Sequence, residues 1–492
     1  MNDLKEKTIR GSFVRILAQA ANFLFRIGSL MILARLLGPQ DFGLVGMATA
    51  FTGVLNLFRD FGLSTASVQR ENVTEEQIST LFWINVLMGL LLAGLALIFA
   101  PVVVHVYHEP RLLQITMILA SGFVFNALGV QHSAQLQRHL RFTALAVINV
   151  GSLVVSTVVG MTFAKLGFGY WALVAMTVTL PAVSTIGVWI AAAWIPGMPR
   201  RGAGIRSMIR FGGTLTLNGL VVYIAYNMEK VLLGRFWGAE AIGLYGRAYQ
   251  LINIPTENLN SSVGEVAFAT LSRLQHDRPR LRNYFLKGYS LVLAMTVPIT
   301  IMCAVFADDL IFVLLGPKWK DAAIVFRLLA PTMIVFAMIN PLGWLLFSLG
   351  LVERSLRVGL VLAPIVIAGY LAGLRYGPSG VALGYSMVMV LWVLPHIAWC
   401  VRDTGVALSD ILVAAGRPLG SGLVGAAAAS SAHYICSPFM PPLPRLLVAG
   451  LVLCAVYVST LFYVMRQKSF YLDVLRGLKK RPSVEERALM LA

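Results

Sequence analysis

Charge is what this chain has least of. Only 13% of its 492 residues are Asp, Glu, Lys or Arg, about half the quarter that soluble domains carry, so it cannot cover itself with polar surface as a water-soluble protein would. Acids are the scarcer sign, 22 against 40 Lys and Arg. The four cysteines, Cys303, Cys400, Cys436 and Cys454, lie in or beside apolar runs and form no Cys-x-x-Cys pair, which excludes a zinc or disulfide framework and leaves them as packing residues. No Gly-x4-Gly-Lys-Ser/Thr loop occurs, so nucleotide hydrolysis by that route is excluded. His105 and His108 share a helix face but lack a third ligand, too little for a metal site. No polar stretch is long enough for a soluble catalytic domain. The chain is therefore not expected to be an enzyme, and neither a cofactor nor a metal is expected.

What is present is apolar: 58% of the residues, with a mean hydropathy of +0.77. A membrane-crossing helix needs about 20 mainly apolar residues, and fourteen segments qualify. They run roughly 13–36, 43–60, 80–100, 112–133, 143–164, 171–195 and 211–233, then 242–268, 288–307, 323–349, 358–374, 379–401, 413–433 and 444–465. The charged N-terminus leads into the first without a small-residue cleavage site, so a retained helix is expected and not a signal peptide. The net charge of +18 is dispersed between apolar runs, which argues against nucleic acid and for a polytopic membrane protein. The N-terminus and every second loop together carry 25 Lys and Arg, the opposite side 8. By the positive-inside rule both termini are cytoplasmic. The tail, with Arg476, Lys479, Lys480 and Arg481, suits anionic lipid.

The sequence repeats itself. LARLLGPQDFGLVG at 33–46 aligns without a gap on LGRFWGAEAIGLYG at 233–246, an offset of 200. Fainter echoes pair Asn126-Ala-Leu-Gly129 with Asn340-Pro-Leu-Gly343, and Pro181 with Pro395. Six spans separate the copies, so the halves share one topology, as in alternating-access transporters built from parallel repeats. The expected organisation is an N-terminal lobe over 1–205, a second lobe over 206–405, two further helices over 406–465 and a basic tail over 466–492.

Ionisable groups inside hydrocarbon are costly and face protein or water. In the first span Arg15, Gln19, Asn22 and Arg26 fall on one helical face; in the second, Thr49, Thr52, Asn56 and Asp60 do, with Arg59 beside them. The seventh holds Asn218, Tyr226, Asn227, Glu229 and Lys230. The eighth carries a stripe of Arg247, Gln250, Glu257, Ser261 and Glu265. These helices are expected to line a hydrated cavity. Arg15 and Arg26 suit a phosphate or acidic sugar, because guanidinium binds such oxygens bidentately. Glu229, Glu257 and Glu265 are candidates for ion coupling. Arg15 at an interface, Arg59 paired with Asp60, or Glu229 and Lys230 paired with neighbours are the structural alternatives.

LARLLGPQDFGLVGMA at 33–48, DFGLSTASVQR at 60–70, GLYGRAYQLINIPTENL at 243–259 and LSRLQHD at 271–277 resemble the polysaccharide flippases of the multidrug/oligosaccharidyl-lipid/polysaccharide exporter superfamily. The likeness is to the lipopolysaccharide and exopolysaccharide biosynthesis transporters and covers nearly the whole chain. It implies an all-α bundle of fourteen helices in two six-helix lobes plus two. It also implies ion-driven movement, on a proton or sodium gradient, of an undecaprenyl-diphosphate-linked oligosaccharide from the cytoplasmic to the periplasmic leaflet of a bacterial inner membrane. Polymerase or export machinery would act beside it. Cavity cations in such flippases are thought to hold the diphosphate, a role that Arg26 and Lys230 fit. A multidrug antiporter and a membrane glycosyltransferase or polymerase are the rival readings. The first conflicts with the cationic face of the first span, the second with the short loop at about 308–322.

Overall fold

Backbone that crosses hydrocarbon has to satisfy its own hydrogen bonds, and this chain does so with helices; among the described residues there is no strand. The computed structural model describes residues 25–59, 74–199, 206–468 and 471, with the side chains of 206–222, 224, 225, 257–262, 265 and 266 outside the description. The helices are α1 (25–36), α2 (Pro39–Asn56), α3 (Glu75–Tyr107), α4 (Leu112–Arg138), α5 (Phe142–Lys165) and α6 (Trp171–Ala192). A run over Arg206–Arg273 breaks at Gly238 into α7 (206–237) and α8 (239–273). Then come α9 (Arg278–Val305), α10 (Ala322–Ser348, interrupted at Ala330), α11 (Val352–Gly373), α12 (Gly377–Val401), α13 (Leu408–Cys436) and α14 (Pro442–Ser459). Nine described segments are long and apolar enough to cross a membrane, one of them, Val352–Val401, containing both α11 and α12.

Local chemistry sets the helix ends. Thr74 Oγ1 accepts from Gln77 N and the Gln77 side chain returns to Thr74 N, with Glu75 and Glu76 in the first turn of α3; this closes orphan donors and complements the helix dipole. Asp277 caps α9 in the same way through Arg280 N at 3.1 Å. Gly238 has φ +78°, a region that favours glycine, and there the long run turns into a hairpin. Several helices outrun the apolar segments that announce them. α3 spans 33 residues where 80–100 was expected, and α9 starts at Arg278 where 288 was expected, so it takes in Arg280, Arg282 and Lys287. The helix continues through the interface because long cationic side chains reach water from helical backbone.

The chain packs as two compact units. The first runs to Gln250 and takes in Leu314–Val325 and Leu356–Val388; the second holds Leu251–Val313, Phe326–Ser355 and the residues from Met389. In the first, α3 packs on α4, α4 on α6 and α5 on α6. His132, fully buried, stacks on Trp189 at 4.2 Å and bonds Trp194 O. Gly369, Gly373, Gly380 and Gly384 bring α11 and α12 together: a Cβ on Gly373 would lie 2.0 Å from Gly380 O, the close backbone approach that small-x3-small spacing permits. Gly89 likewise packs against Ala127 and Phe123, while Gly94 has nothing within 4 Å. In the second unit α13 packs on both α9 and α14, and Asp309 is held by Arg445 and by His433 (2.8 Å). Large apolar side chains point outward along the helices, Ile98 at 71% exposure, Leu391 at 76%, Leu423 at 75%. Water would penalise such a surface and acyl chains welcome it; this is a multi-pass membrane protein.

Candidate functional site

The two copies of the repeat meet. Within the first unit, Gly43 on α2 abuts Ala239 at the start of α8, where an added Cβ would lie 1.6 Å from the Ala239 carbonyl oxygen. Gly243 abuts Pro39, its Cβ position 1.9 Å from the Pro39 carbonyl oxygen. Residues 39 and 239, and 43 and 243, are repeat equivalents, so the α1–α2 and α7–α8 hairpins contact each other by one local pseudo-two-fold, glycine to backbone on both sides. Trp319, fully buried, closes one flank: its ring meets Phe42 at 5.3 Å and its Nε1 donates to Ala34 O at 2.8 Å. On the other copy, Trp237 Nε1 donates to Leu374 O.

Glu229 lies on α7, 2% exposed, with its Oε2 lacking a hydrogen-bond partner among the described residues. Tyr107, Tyr223, Tyr245 and Tyr370 stand within its electrostatic reach. Tyr245 and Tyr249, one turn apart on α8, stack at 6.1 Å, and Tyr370 stacks on Tyr385 at 5.4 Å. Lys230 does not bridge to Glu229. Its amine donates to Asn227 Oδ1 at 2.6 Å, and Asn227 donates to Tyr223 O. A buried carboxylate with a spare oxygen has the chemistry to take up and release a proton or a small cation. The tyrosine cluster was missed by sequence reasoning, although the four-residue spacing of Tyr245 and Tyr249 signalled one face.

The remaining expected residues fare differently. Arg247 lies over the Phe42 ring at 4.0 Å and bonds Gln250, tying α8 to α2. On α2 the polar stripe bonds its own backbone: Thr49 to Val45 O, Thr52 to Ala48 O, Asn56 to Thr52 O; Asn56 remains exposed. Arg26 is exposed on α1. Arg59 donates to Asn126 Oδ1 at 3.3 Å and reaches a cavity of about 250 Å³ whose other lining includes Ser133, Gln137, Ser184 and Thr185. Arg15, Gln19, Asn22 and Asp60 lie outside the described residues, as do the side chains of Asn218, Glu257 and Glu265. No cluster of three His, Cys, Asp or Glu with metal-binding geometry occurs among the described residues. His105 and His108 do stack, at 5.9 Å.

The fold resembles that of solved transporters. The structure of lipid II flippase MurJ in an inward closed conformation superposes with a TM-score of 0.73 at 16% identity, over 91% of this chain and 99% of that one. An inward-facing multidrug resistance MATE family transporter of the MOP superfamily gives 0.63 at 15%, over 79% and 95%. Among curated proteins, lipopolysaccharide biosynthesis protein WzxC of Escherichia coli K12 is 27% identical over 400 residues, 79% of this chain and 80% of its own length. Teichuronic acid biosynthesis protein TuaB of Bacillus subtilis is 30% identical over 304 residues, 59% of this chain and 61% of its own. The family model described as "Polysaccharide biosynthesis protein" matches residues 32–324, both copies of the repeat included. An all-helical membrane chain with the MOP transporter fold and a match of that extent belongs to the polysaccharide biosynthesis protein family.

Proposed function

We propose that the chain is a flippase that carries an undecaprenyl-diphosphate-linked oligosaccharide from the cytoplasmic to the periplasmic leaflet of a bacterial inner membrane, by ion-coupled alternating access. It performs no bond chemistry. A charged diphosphate and a glycan cannot cross hydrocarbon unaided, whereas protein dipoles in a cavity replace their lost hydration. The observation that carries the reading is the buried carboxylate of Glu229, one oxygen of which has no hydrogen-bond partner among the described residues, on the hairpin through which the two repeats meet. A coupling ion bound there acts on the element that has to move. An ion shifts the equilibrium between two states only through differential contacts, and the repeat contact supplies a state with defined contacts to lose.

In this reading the chain crosses fourteen times with both termini cytoplasmic, as lobes over 1–205 and 206–405, two helices over 406–465 and a tail over 466–492. Lys230, Arg26 and Arg15 serve the anionic head of the substrate with Gln19, Asn22, Asn56, Asp60, Asn218 and Arg247, while Glu229, Glu257 and Glu265 serve a proton or sodium gradient. A succinoglycan biosynthesis transport protein of Rhizobium meliloti, ExoT, is 24% identical over 64% of both chains, which supports transport over catalysis. Polymerase and export proteins would receive the product.

The test is reconstitution in proteoliposomes with a fluorescent diphosphate-linked oligosaccharide, its leaflet read by a membrane-impermeant quencher under an imposed proton or sodium gradient. Gradient-driven movement in the wild type, reduced at least about tenfold in Glu229→Gln with gradient-independent exchange retained, is the expected result. Efflux of a small organic cation with no movement of any glycolipid would replace the flippase by an antiporter.

A further inference from the structure

The second unit contains a recess that the transport reading leaves unused. α9 and α13 run parallel: Arg282 pairs with Asp410 near their starts, and further along a Cβ on Gly422 would lie 2.5 Å from Val297 Cγ1. One to two turns beyond that ion pair the helices part around about 490 Å³ of space. Asn283, Lys287 and Ser290 reach it from α9, Ser409 and Arg417 from α13, and Gln467 from the residues after α14. Its one acid, Asp410, is spoken for: Arg282 holds both carboxylate oxygens and Ala407 N donates to one of them. Lys287 and Arg417 are exposed and enter no ion pair among the described residues. The recess therefore presents two surplus cations, with Leu286, Val413 and Ala414 beside them.

Depth narrows the occupant. α9 has 28 residues and α13 has 29, about 42 Å each against about 30 Å of hydrocarbon. Lys287 follows Arg278, and Arg417 follows Leu408, by about 13 Å of helix rise, which sets both backbones just inside the apolar slab with side chains long enough to snorkel to the phosphate plane. A cation at that level is stabilised by a lipid phosphate and not by bulk water. The apolar neighbours offer acyl chains a floor that a free anion has no use for.

We propose that this recess binds the phosphate headgroup of an anionic bilayer phospholipid in the cytoplasmic leaflet, with Lys287 and Arg417 as its contacts and Ser290 and Gln467 as hydrogen-bonding neighbours. The leaflet assignment rests on the orientation proposed above; the binding does not. The lipid would link α9, α13 and the residues that follow α14, where Tyr471 already meets Ser290 at 3.3 Å.

The experiment uses the full chain purified in a neutral detergent, with phosphatidylglycerol added and followed by native mass spectrometry and thermal melting. Phosphatidylglycerol is expected to stay bound and raise the melting temperature, less so at high salt. Lys287→Gln with Arg417→Gln should weaken it about thirtyfold, from the usual contribution of two basic residues at an anionic interface. The charge-keeping pair Lys287→Arg and Arg417→Lys should bind within about threefold of wild type, which separates loss of charge from misfolding. Equal binding of phosphatidylcholine, unchanged binding in the charge-neutral pair, or displacement of phosphatidylglycerol by matched inorganic phosphate each overturns the proposal. Displacement by undecaprenyl phosphate overturns it too, by giving the recess to a transported lipid. No transport is measured, so failure of the flippase assay and failure of this one are separate results.

Discussion

Replacing Gly43 by Ala puts a methyl where there is no room for one. Its carbon would sit 1.6 Å from the Ala239 carbonyl oxygen, 2.4 Å from the carbonyl carbon and 3.0 Å from its Cα. Carbon–oxygen contacts between helices settle at about 3.3 Å, so the α2 and α8 backbones have to part by roughly 1.7 Å. The obstacle is backbone and has no rotamer to escape into, which places the cost at the upper end of the overpacking range, about 3 kcal/mol. That is about a 150-fold shift against the state in which the hairpins touch. Gly243→Ala, facing the Pro39 carbonyl at 1.9 Å, should match it. Gly46→Ala meets only Ile242 Cγ2 at 2.8 Å, a side chain that yields, and Gly246→Ala meets nothing within 4 Å. The readout is maleimide labelling of Ala241→Cys, a position 5% exposed in the contact, in a chain freed of its four native cysteines. Labelling should accelerate steeply in Gly43→Ala and Gly243→Ala, modestly in Gly46→Ala and not in Gly246→Ala, and glycolipid movement should fall in the same order. Wild-type labelling and transport in Gly43→Ala, or equal damage from Gly246→Ala, would refute the reasoning.

Trp319→Phe keeps the edge contact with Phe42 but strips the donor from Ala34 O, one of the last carbonyls of α1, which has no onward helical partner; a loss of about 1–3 kcal/mol should appear as a lower melting temperature, and an unchanged one would deny the bond any weight. Asp309→Ala leaves Arg445, whose side chain is 14% exposed, without its anion; a penalty of about 3–5 kcal/mol is expected, eased when Arg445→Met is added, with additive singles arguing against the pairing. Between α3 and α4, Arg111 donates to both Glu109 oxygens at 2.8 Å and holds that carboxyl below its usual range. Glu109 thus stabilises fully above the ordinary Glu value of about 4.3 and loses that contribution as pH falls through its depressed folded value. The melting difference between wild type and Glu109→Gln should be flat near neutrality and shrink in acid; a difference that grows in acid would reverse the sign.

The sequence by itself determined the class of molecule. Low charge and long apolar runs leave no soluble alternative, because a helix that satisfies its own backbone is what hydrocarbon accepts, and the 200-residue offset between 33–46 and 233–246 is legible as identity of letters. It singles out Glu229 and Lys230 as candidates because an ionisable residue in an apolar run is conspicuous. It placed the start of α9 ten residues late, since a hydropathy reading ends where charges begin while the backbone hydrogen bonds carry on. What only the tertiary structure decided is who meets whom. Nothing in the letters says that Gly43 packs on Ala239 and Gly243 on Pro39, that Lys230 bonds Asn227 in preference to Glu229, or that Tyr370 joins Tyr245 near Glu229. Nor do they say that the α2 hydroxyls bond their own helix or that Arg417 and Lys287 open onto one recess. Periodicity assigns a residue to a face of its own helix. The neighbour across that face is fixed by packing between segments distant in sequence, where a missing Cβ or a ring of the right size admits one partner and excludes the rest.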